Sequence, residues 1–380
     1  MASLTVTPEQ PATEAITACI QAWGYGPDII VGIEKTITNE VIAANDAKYI
    51  VALQDTGSRL FVGAVGREWP DSERVEERLS AVARAACAFP NGVAGCGENQ
   101  TAVVVVAPLR RPNGQFLFID GLIDGSSDRP PRRYLTPAYT GETLVEKQNF
   151  DVPLLSYSLG AYHRMMSAAG QPPAPPASAA GQDLVRNVPA YLNNLASEWE
   201  REAGEPKDGF DVSLINEMRN VSKFFAEGNA GKRSERLAAL PCTWIHDDFQ
   251  FKNLMKLDDG RLAVVDMTDG SWAPRIFDLA YILAAGGDDP DVPDTDASVP
   301  TCAEQFNARI RAYYDGGGGA LTEEEAFLLP NVTQIKFMAA AHFWYKYQPN
   351  VAQFTKLARW SSLVSVNREL IRAAAVGCTN

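Results

Sequence analysis

The stretch from Cys242 to Leu283, CTWIHDDFQFKNLMKLDDGRLAVVDMTDGSWAPRIFDLAYIL, sets a histidine, several acids and an amide around two short apolar runs. Thr243, Trp244 and Ile245 are β-branched or aromatic, which predicts a short buried strand delivering His246, Asp247 and Asp248 onto a loop. Leu254 and Met255 begin a second run, which Asp258, Asp259 and Gly260 break as a hairpin turn. Leu262 to Val265 return, and the run ends at Asp266. A hairpin of this register carries Asp248, Asn253 and Asp266 to one end. Mg²⁺ prefers carboxylate and amide oxygens and keeps phosphate oxygens in its shell, so Asn253 and Asp266 suit a nucleotide–metal site. Asp248 is then left to accept a hydrogen bond from an attacking hydroxyl, which is the geometry of phosphoryl transfer.

Composition narrows the alternatives. A hydrolase using His246 and Asp247 as metal ligands lacks further ligands, because the other histidines are His163 and His342. The six cysteines (Cys19, Cys87, Cys96, Cys242, Cys302, Cys378) form no CxxC pair, which argues against zinc and for reduced thiols in a cytoplasm. A net charge of −13 without a basic run disfavours polynucleotide partners. An acidic cleft would favour a cationic substrate, although net acidity also serves solubility alone. No apolar run is long enough for a membrane span, and the N-terminus carries no basic-then-apolar leader. At 380 residues two packed lobes are expected.

His246, Asp248 and Asn253, followed by Asp266, Pro274 and Asp278-Leu279-Ala280, resemble the catalytic core of the kinase-like small-molecule phosphotransferases, the group of aminoglycoside phosphotransferases, choline and ethanolamine kinases and homoserine kinases. The resemblance implies an α+β, two-lobed protein-kinase-like fold, with a small antiparallel sheet lobe followed by a mostly helical one. It makes Asp248 the catalytic acid/base, Asn253 and Asp266 the Mg²⁺ ligands, and His246 and Asp278 structural parts of the loop. ATP and Mg²⁺ are the implied cofactors, and the acceptor is a hydroxyl on a small polar or cationic molecule. An antibiotic is one such molecule; a metabolic choline, ethanolamine, homoserine or sugar acceptor is the alternative. The resemblance leaves monomer and homodimer open.

Along the chain, residues 8–24 read as a helix, and strands are expected at 28–31, 40–44, 49–53 and 59–65. The turn Glu34 to Asn39 resembles the family's phosphate-covering turn, which puts Asn39 at the nucleotide. Residues 71–89 make an amphipathic helix with Val75, Leu79, Val82 and Ala86 inward. In the family this helix carries a glutamate that pairs with a strand lysine; Glu76 or Glu77 is that acid. The lysine is where the chain departs from the pattern, since neither strand carries one at its centre. Lys48 and Arg67 are the substitutes, and a non-catalytic nucleotide-binding scaffold is a further reading. Residues 101–107 and 115–119 are expected to form a hairpin around Arg110 to Gly114. Residues 118–123, including Asp120 and Leu122, are placed at the adenine-reading hinge, so that 1–120 is the nucleotide lobe, 121–125 the hinge and 126–380 the catalytic and substrate lobe.

In the second lobe, the helix 153–168 matches the family's LGxxLxxLH pattern, with His163 read as a core residue. Thr322 with Glu325 forms a capping box, and closing helices are expected at 330–347 and 351–375. Trp272 and Trp344 are candidates to contact the substrate by stacking or cation–π interaction.

Overall fold

The computed structural model describes residues 4–6, 10–37, 48–54, 58–65, 72–95, 101–119, 132–145, 147, 149–172, 187–202, 212–228, 232–268, 270–283, 303–346 and 351–377. A six-stranded antiparallel sheet is built from β1 (Leu4–Val6), β2 (Ile30–Ile37), β3 (Lys48–Leu53), β4 (Arg59–Val65), β6 (Phe118–Ile119) and β7 (Arg132–Pro137), in the order β1-β2-β3-β4-β7-β6. Helix α1 (Gln10–Ala22) lays Ile16, Cys19 and Ile20 against Tyr49, Val51, Leu60, Val62 and Leu135 of this sheet, which closes a small core of its own. Alternation along β3 explains this: Tyr49, Val51 and Leu53 share one face.

Helix α2 (Ser72–Ala88) serves two cores. Val75 and Leu79 pack with Phe116, Leu117 and Tyr134 near the small sheet, while Ala81, Val82 and Ala85 enter the large core of the helical lobe. That lobe holds a four-stranded sheet in the order β5-β11-β10-β8, from β5 (Val103–Val105), β8 (Gly141–Thr143), β10 (Leu254–Leu257) and β11 (Leu262–Val264). A separate pair joins β9 (Cys242–Trp244) to β12 (Trp272–Pro274).

The helices of this lobe among the described residues are α3 (Val152–Ser167), α4 (Val188–Glu202), α5 (Val212–Ala226), α6 (Arg233–Ala238), α7 (Ile276–Leu283), α8 (Ala303–Asp315), α9 (Glu323–Lys346), α10 (Val351–Val366) and α11 (Arg368–Gly377). Asp151 caps α3 by accepting from the Leu154 amide at 3.0 Å. Gly160 lets α3 and α8 touch, since a Cβ there would lie 2.0 Å from the Tyr313 carbonyl oxygen. The capping box is formed: Thr322 N–H donates to Glu325 Oε2 at 2.8 Å and Glu325 N–H to Thr322 Oγ1 at 3.1 Å.

Several expected boundaries shift. Strand β2 runs on through Ile37, so Glu34 to Ile37 are ladder residues paired with β1 and β3 rather than a turn; Asn39 and the expected strand at 40–44 lie outside the described residues. The expected hairpin of 101–107 with 115–119 does not form. Its turn is real, with Arg111 N–H donating to Gln115 O at 2.8 Å, but β5 pairs in parallel with β11 while β6 pairs with β7. The expected hinge 121–125, with Asp120 and Leu122, is also outside the described residues. The strands on either side of it, β6 and β7, both belong to the six-stranded sheet, and the chain passes on to the other sheet between Pro137 and Gly141.

Helix α9 continues through Pro330, where a break was expected. A proline inside a helix, through its missing hydrogen bond and the clash of its ring with the preceding turn, costs about 3 kcal/mol, and burial of Leu328, Leu329, Val332 and Ile335 offsets it. Conversely, the single closing helix expected at 351–375 is two, separated at Asn367.

Candidate active site

The antiparallel pairing of β10 with β11, Leu254 opposite Val264, and the bond from Val265 N–H to Asn253 O at 3.0 Å bring Asn253 beside the segment that ends in Asp266. The Asn253 side-chain nitrogen donates to the Asp248 carbonyl at 2.8 Å and to Asp248 Oδ2 at 2.9 Å. Gln250 donates to Asp248 Oδ1, and Lys252 Nζ stands 3.2 Å from Oδ2. Amide and ammonium donors thus orient a carboxylate that is still 19% exposed. Both hydrogens of the Asn253 amide serve Asp248, and its Oδ1 accepts no hydrogen bond among the described residues.

His246 and Asp278 form the support beneath. Asp278, on α7, is fully buried; its Oδ2 accepts from His246 N–H at 2.7 Å and its Oδ1 from Asp247 N–H at 2.8 Å. His163 Nε2 lies 3.0 Å from Asp278 Oδ2, and His163 Nδ1 lies 2.9 Å from the Tyr313 hydroxyl. The His246 ring donates from Nε2 to Val265 O at 2.9 Å, while its Nδ1 faces Asp248 N–H at 3.3 Å, which defines the tautomer. One imidazole therefore bridges the segments leading to Asp248 and Asp266. Among the described residues the only non-glycine positive φ values are Asp247 at 67° and Asp266 at 59°. Aspartate tolerates this left-handed region better than most residues, yet the conformation has to be held by its surroundings.

Burial, with the charge of Arg78, lowers the His246 pKa. Burial alone would raise that of Asp278, but the hydrogen bond and charge of His163, the charge of His246 and the His246 amide outweigh it and lower the value. In both cases the unfolded chain binds protons more readily. This part of the stability is therefore fully present above about pH 6.5, the ordinary histidine value, and is lost in acid, through His246 first and Asp278 further down. We expect the urea unfolding midpoint to fall as pH drops from 7 to 5, with His246→Asn flattening that slope; an unchanged slope in the variant would contradict the buried neutral imidazole.

The other expected residues are distributed unevenly. Arg67 is outside the described residues; Lys48 opens β3, and its side chain, like that of Trp344, is not described. Glu77 is half-buried on α2. Glu76 is committed elsewhere: its carboxylate accepts from Phe116 N–H at 2.9 Å and Leu117 N–H at 2.7 Å. Trp272 is half-buried opposite Trp244, their rings 5.7 Å apart and edge-on, two residues before His246 in register. Phe337 is core, edge-on to Trp360.

Sequence reasoning missed two cations. Lys336 on α9 bonds to Asp247 Oδ1, its ammonium 4.9 Å from the Tyr281 ring centre. Arg78 on α2 donates from Nε to Met267 O at 2.5 Å and from Nη2 to the Tyr162 hydroxyl at 3.0 Å. The signal for Arg78 was present: it falls three residues after Val75 and four before Val82, on the inward face of an amphipathic helix.

A small antiparallel sheet with one packed helix, followed by a helical lobe bearing this loop and hairpin, is the α+β two-lobed fold of kinase-like proteins. Solved structures agree. The choline kinase of Cryptosporidium parvum superposes with a TM-score of 0.57 at 12% identity, over 96% of this chain and 98% of that one. A microcompartment-associated aminopropanol kinase gives 0.55 at 12%, over 94% and 96%. The spectinomycin phosphotransferase solved with ADP and spectinomycin gives 0.52 at 12%, over 94% and 98%. The chain belongs to the phosphotransferase enzyme family (APH), whose sequence profile matches residues 123–324. No curated protein matches the sequence at a significant level.

Proposed function

We propose that the protein is an ATP-dependent kinase that moves the γ-phosphate to a hydroxyl of a small polar or cationic molecule. The observation that carries this reading is the Asn253 amide spanning the Asp248 carbonyl and carboxylate. It supports the reading of Asp248 as the group that accepts the hydroxyl proton and of Asn253 Oδ1 as a cation ligand. His246 and Asp278 act as positioning residues.

The donor set fits Mg²⁺. No cluster of three or more His, Cys, Asp or Glu among the described residues could hold a metal by itself, and two protein oxygens, Asn253 Oδ1 and the Asp266 carboxylate, suit an ion completed by phosphate oxygens. When bound, such an ion would neutralise charge on the transferring phosphate. Asp248 orients the acceptor in line, and its exposed edge admits a substrate from solvent.

The nucleotide lies between the two sheets, with the hinge assigned to residues 138–140, where the chain passes from β7 to β8. Asn39, Lys48, Arg67 and Glu77 remain proposed nucleotide contacts; Asp120 and Leu122, placed there with a hinge at 121–125, lose that ground with the hinge at 138–140; Trp272 and Trp344 remain proposed acceptor contacts. The acceptor is an antibiotic of the aminoglycoside or spectinomycin kind, or a metabolic alcohol such as choline, ethanolamine, homoserine or a sugar. The described helices include none long and apolar enough to cross a membrane, and neither a membrane nor a nucleic acid is proposed as a partner.

The test is ADP formation from ATP and Mg²⁺ across a panel of these acceptors. Turnover that depends on one class of acceptor supports the reading. ATP binding without turnover on any acceptor moves the weight to a nucleotide-binding scaffold, which the lack of a lysine inside β4 favours. Asp266→Ala is expected to abolish the Mg²⁺-dependent part of ATP binding in calorimetric titration; binding that keeps its Mg²⁺ dependence would remove Asp266 from the metal site.

A further inference from the structure

The fit of Arg78 to its surroundings exceeds what packing alone requires. A buried arginine is ordinarily paired with a carboxylate, because an unpaired charge in a low-dielectric interior is costly. Arg78 has no exposed surface, and its hydrogen-bond partners are a main-chain carbonyl and a phenol. Its Nη1 is buried without a partner among the described residues. The carbonyl belongs to Met267, the residue after Asp266, whose φ of 59° places the metal-loop backbone in the left-handed region. The same loop makes room for the guanidinium: a Cβ on Gly270 would lie 1.9 Å from the Arg78 Cζ. Meanwhile Glu76, an acid of α2 expected to face a strand lysine, is held by the Phe116 and Leu117 amides.

We propose that Arg78 is the positioning residue through which α2 holds the Asp266 loop in its metal-binding form, and that it supplies from behind that loop the positive charge that the interior of β4 lacks. The bond to the Met267 carbonyl fixes the peptide next to Asp266, so the direction of the Asp266 carboxylate follows from the seat of α2. The cation, without a carboxylate partner among the described residues and bonded to the peptide next to Asp266, is set to favour the negative charge of nucleotide phosphates once they are bound. This inference rests on the reading of Asp266 as a Mg²⁺ ligand.

The experiment measures ATP binding by the full chain as a function of Mg²⁺, for wild type, R78K, R78M and G270A, with thermal unfolding of each free protein alongside. Partners that orient a metal ligand typically change metal affinity about 10- to 100-fold, and a rise of that size in the Mg²⁺ needed for half-saturation is expected in R78M. R78K, which retains the charge but gathers its donors on a single nitrogen, should recover part of it. G270A, which crowds the guanidinium without removing it, should reproduce the R78M effect, and R78M/G270A should be no worse than R78M alone. Variants that unfold at lower temperature but keep the wild-type Mg²⁺ requirement would overturn the proposal and reduce Arg78 to a packing residue. If R78M does not fold, R78K and G270A decide by the same criterion. Wild-type protein that binds no ATP with Mg²⁺ would bring down the nucleotide reading and this inference together, whereas Mg²⁺-dependent binding in wild type with unchanged variants would bring down the inference alone.

Discussion

Replacing Asp248 with alanine is expected to lower the rate of phosphoryl transfer by about 10²- to 10⁴-fold, the range associated with a positioned acid/base group, while ATP affinity stays within about twofold. The separation follows from the hydrogen bonds: Asp248 binds Gln250 and Asn253 and faces outward, whereas the proposed nucleotide-side oxygens are those of Asn253 and Asp266. The vacated amides lie next to a partly exposed position where water can take the place of the carboxylate. Single-turnover ADP formation and calorimetric ATP titration, run on the same preparation, check both halves. A loss of ATP affinity equal to that of Asp266→Ala would mean that Asp248 belongs to the nucleotide site and would remove its assignment as the base.

The largest effect on stability is expected from Asp278→Ala. This carboxylate is completely buried and is the acceptor for the amides of His246 and Asp247 as well as the partner of His163. Removing one member of a buried hydrogen-bonded pair costs about 3–5 kcal/mol, because the remaining groups are left desolvated without partners. Asp278→Asn keeps the shape and one acceptor and should cost less. Urea unfolding midpoints at pH 7 measure both, and a loss below about 1 kcal/mol in the alanine variant, within the range of an ordinary surface change, would show that the loop is held by other contacts. Activity should fall with stability here, since the left-handed Asp247 immediately precedes Asp248 and its own amide and that of His246 both depend on this anchor.

The candidate site was legible in the sequence to the extent that its groups lie close together in the chain. His246, Asp248, Asn253 and Asp266 are linked by one short hairpin, so local strand and turn preferences suffice to bring them together. Asp278 was legible for a similar reason, as the first-turn acid of a short apolar helix. Arg78, Tyr162 and Lys336 come from elements remote in sequence, and their roles depend on how helices pack, which no local pattern encodes.

The fold shows the same division. The turn at Arg111 to Gly114 was correctly located, but a turn does not determine which strands pair. Val103 to Val105, uniformly buried, match a strand covered on both faces, here an edge strand paired in parallel with β11, better than one arm of a hairpin. Pro330 misled because proline weakens a helix locally, whereas α9 is held by apolar neighbours along much of its length.

The path of the chain between the two sheets bears on how the protein can move. It leaves the six-stranded sheet after β4 to supply β5 to the other, returns for β6 and β7, and leaves again for β8. Three crossings, one of them pinned by a parallel ladder to the strand that leads to Asp266, remove most of the rotational freedom that a single connector would give. On the proposed reading, opening to exchange nucleotide would have to turn about those crossings, and loosening β5 from β11 is expected to alter the rate of product escape before it alters the chemistry.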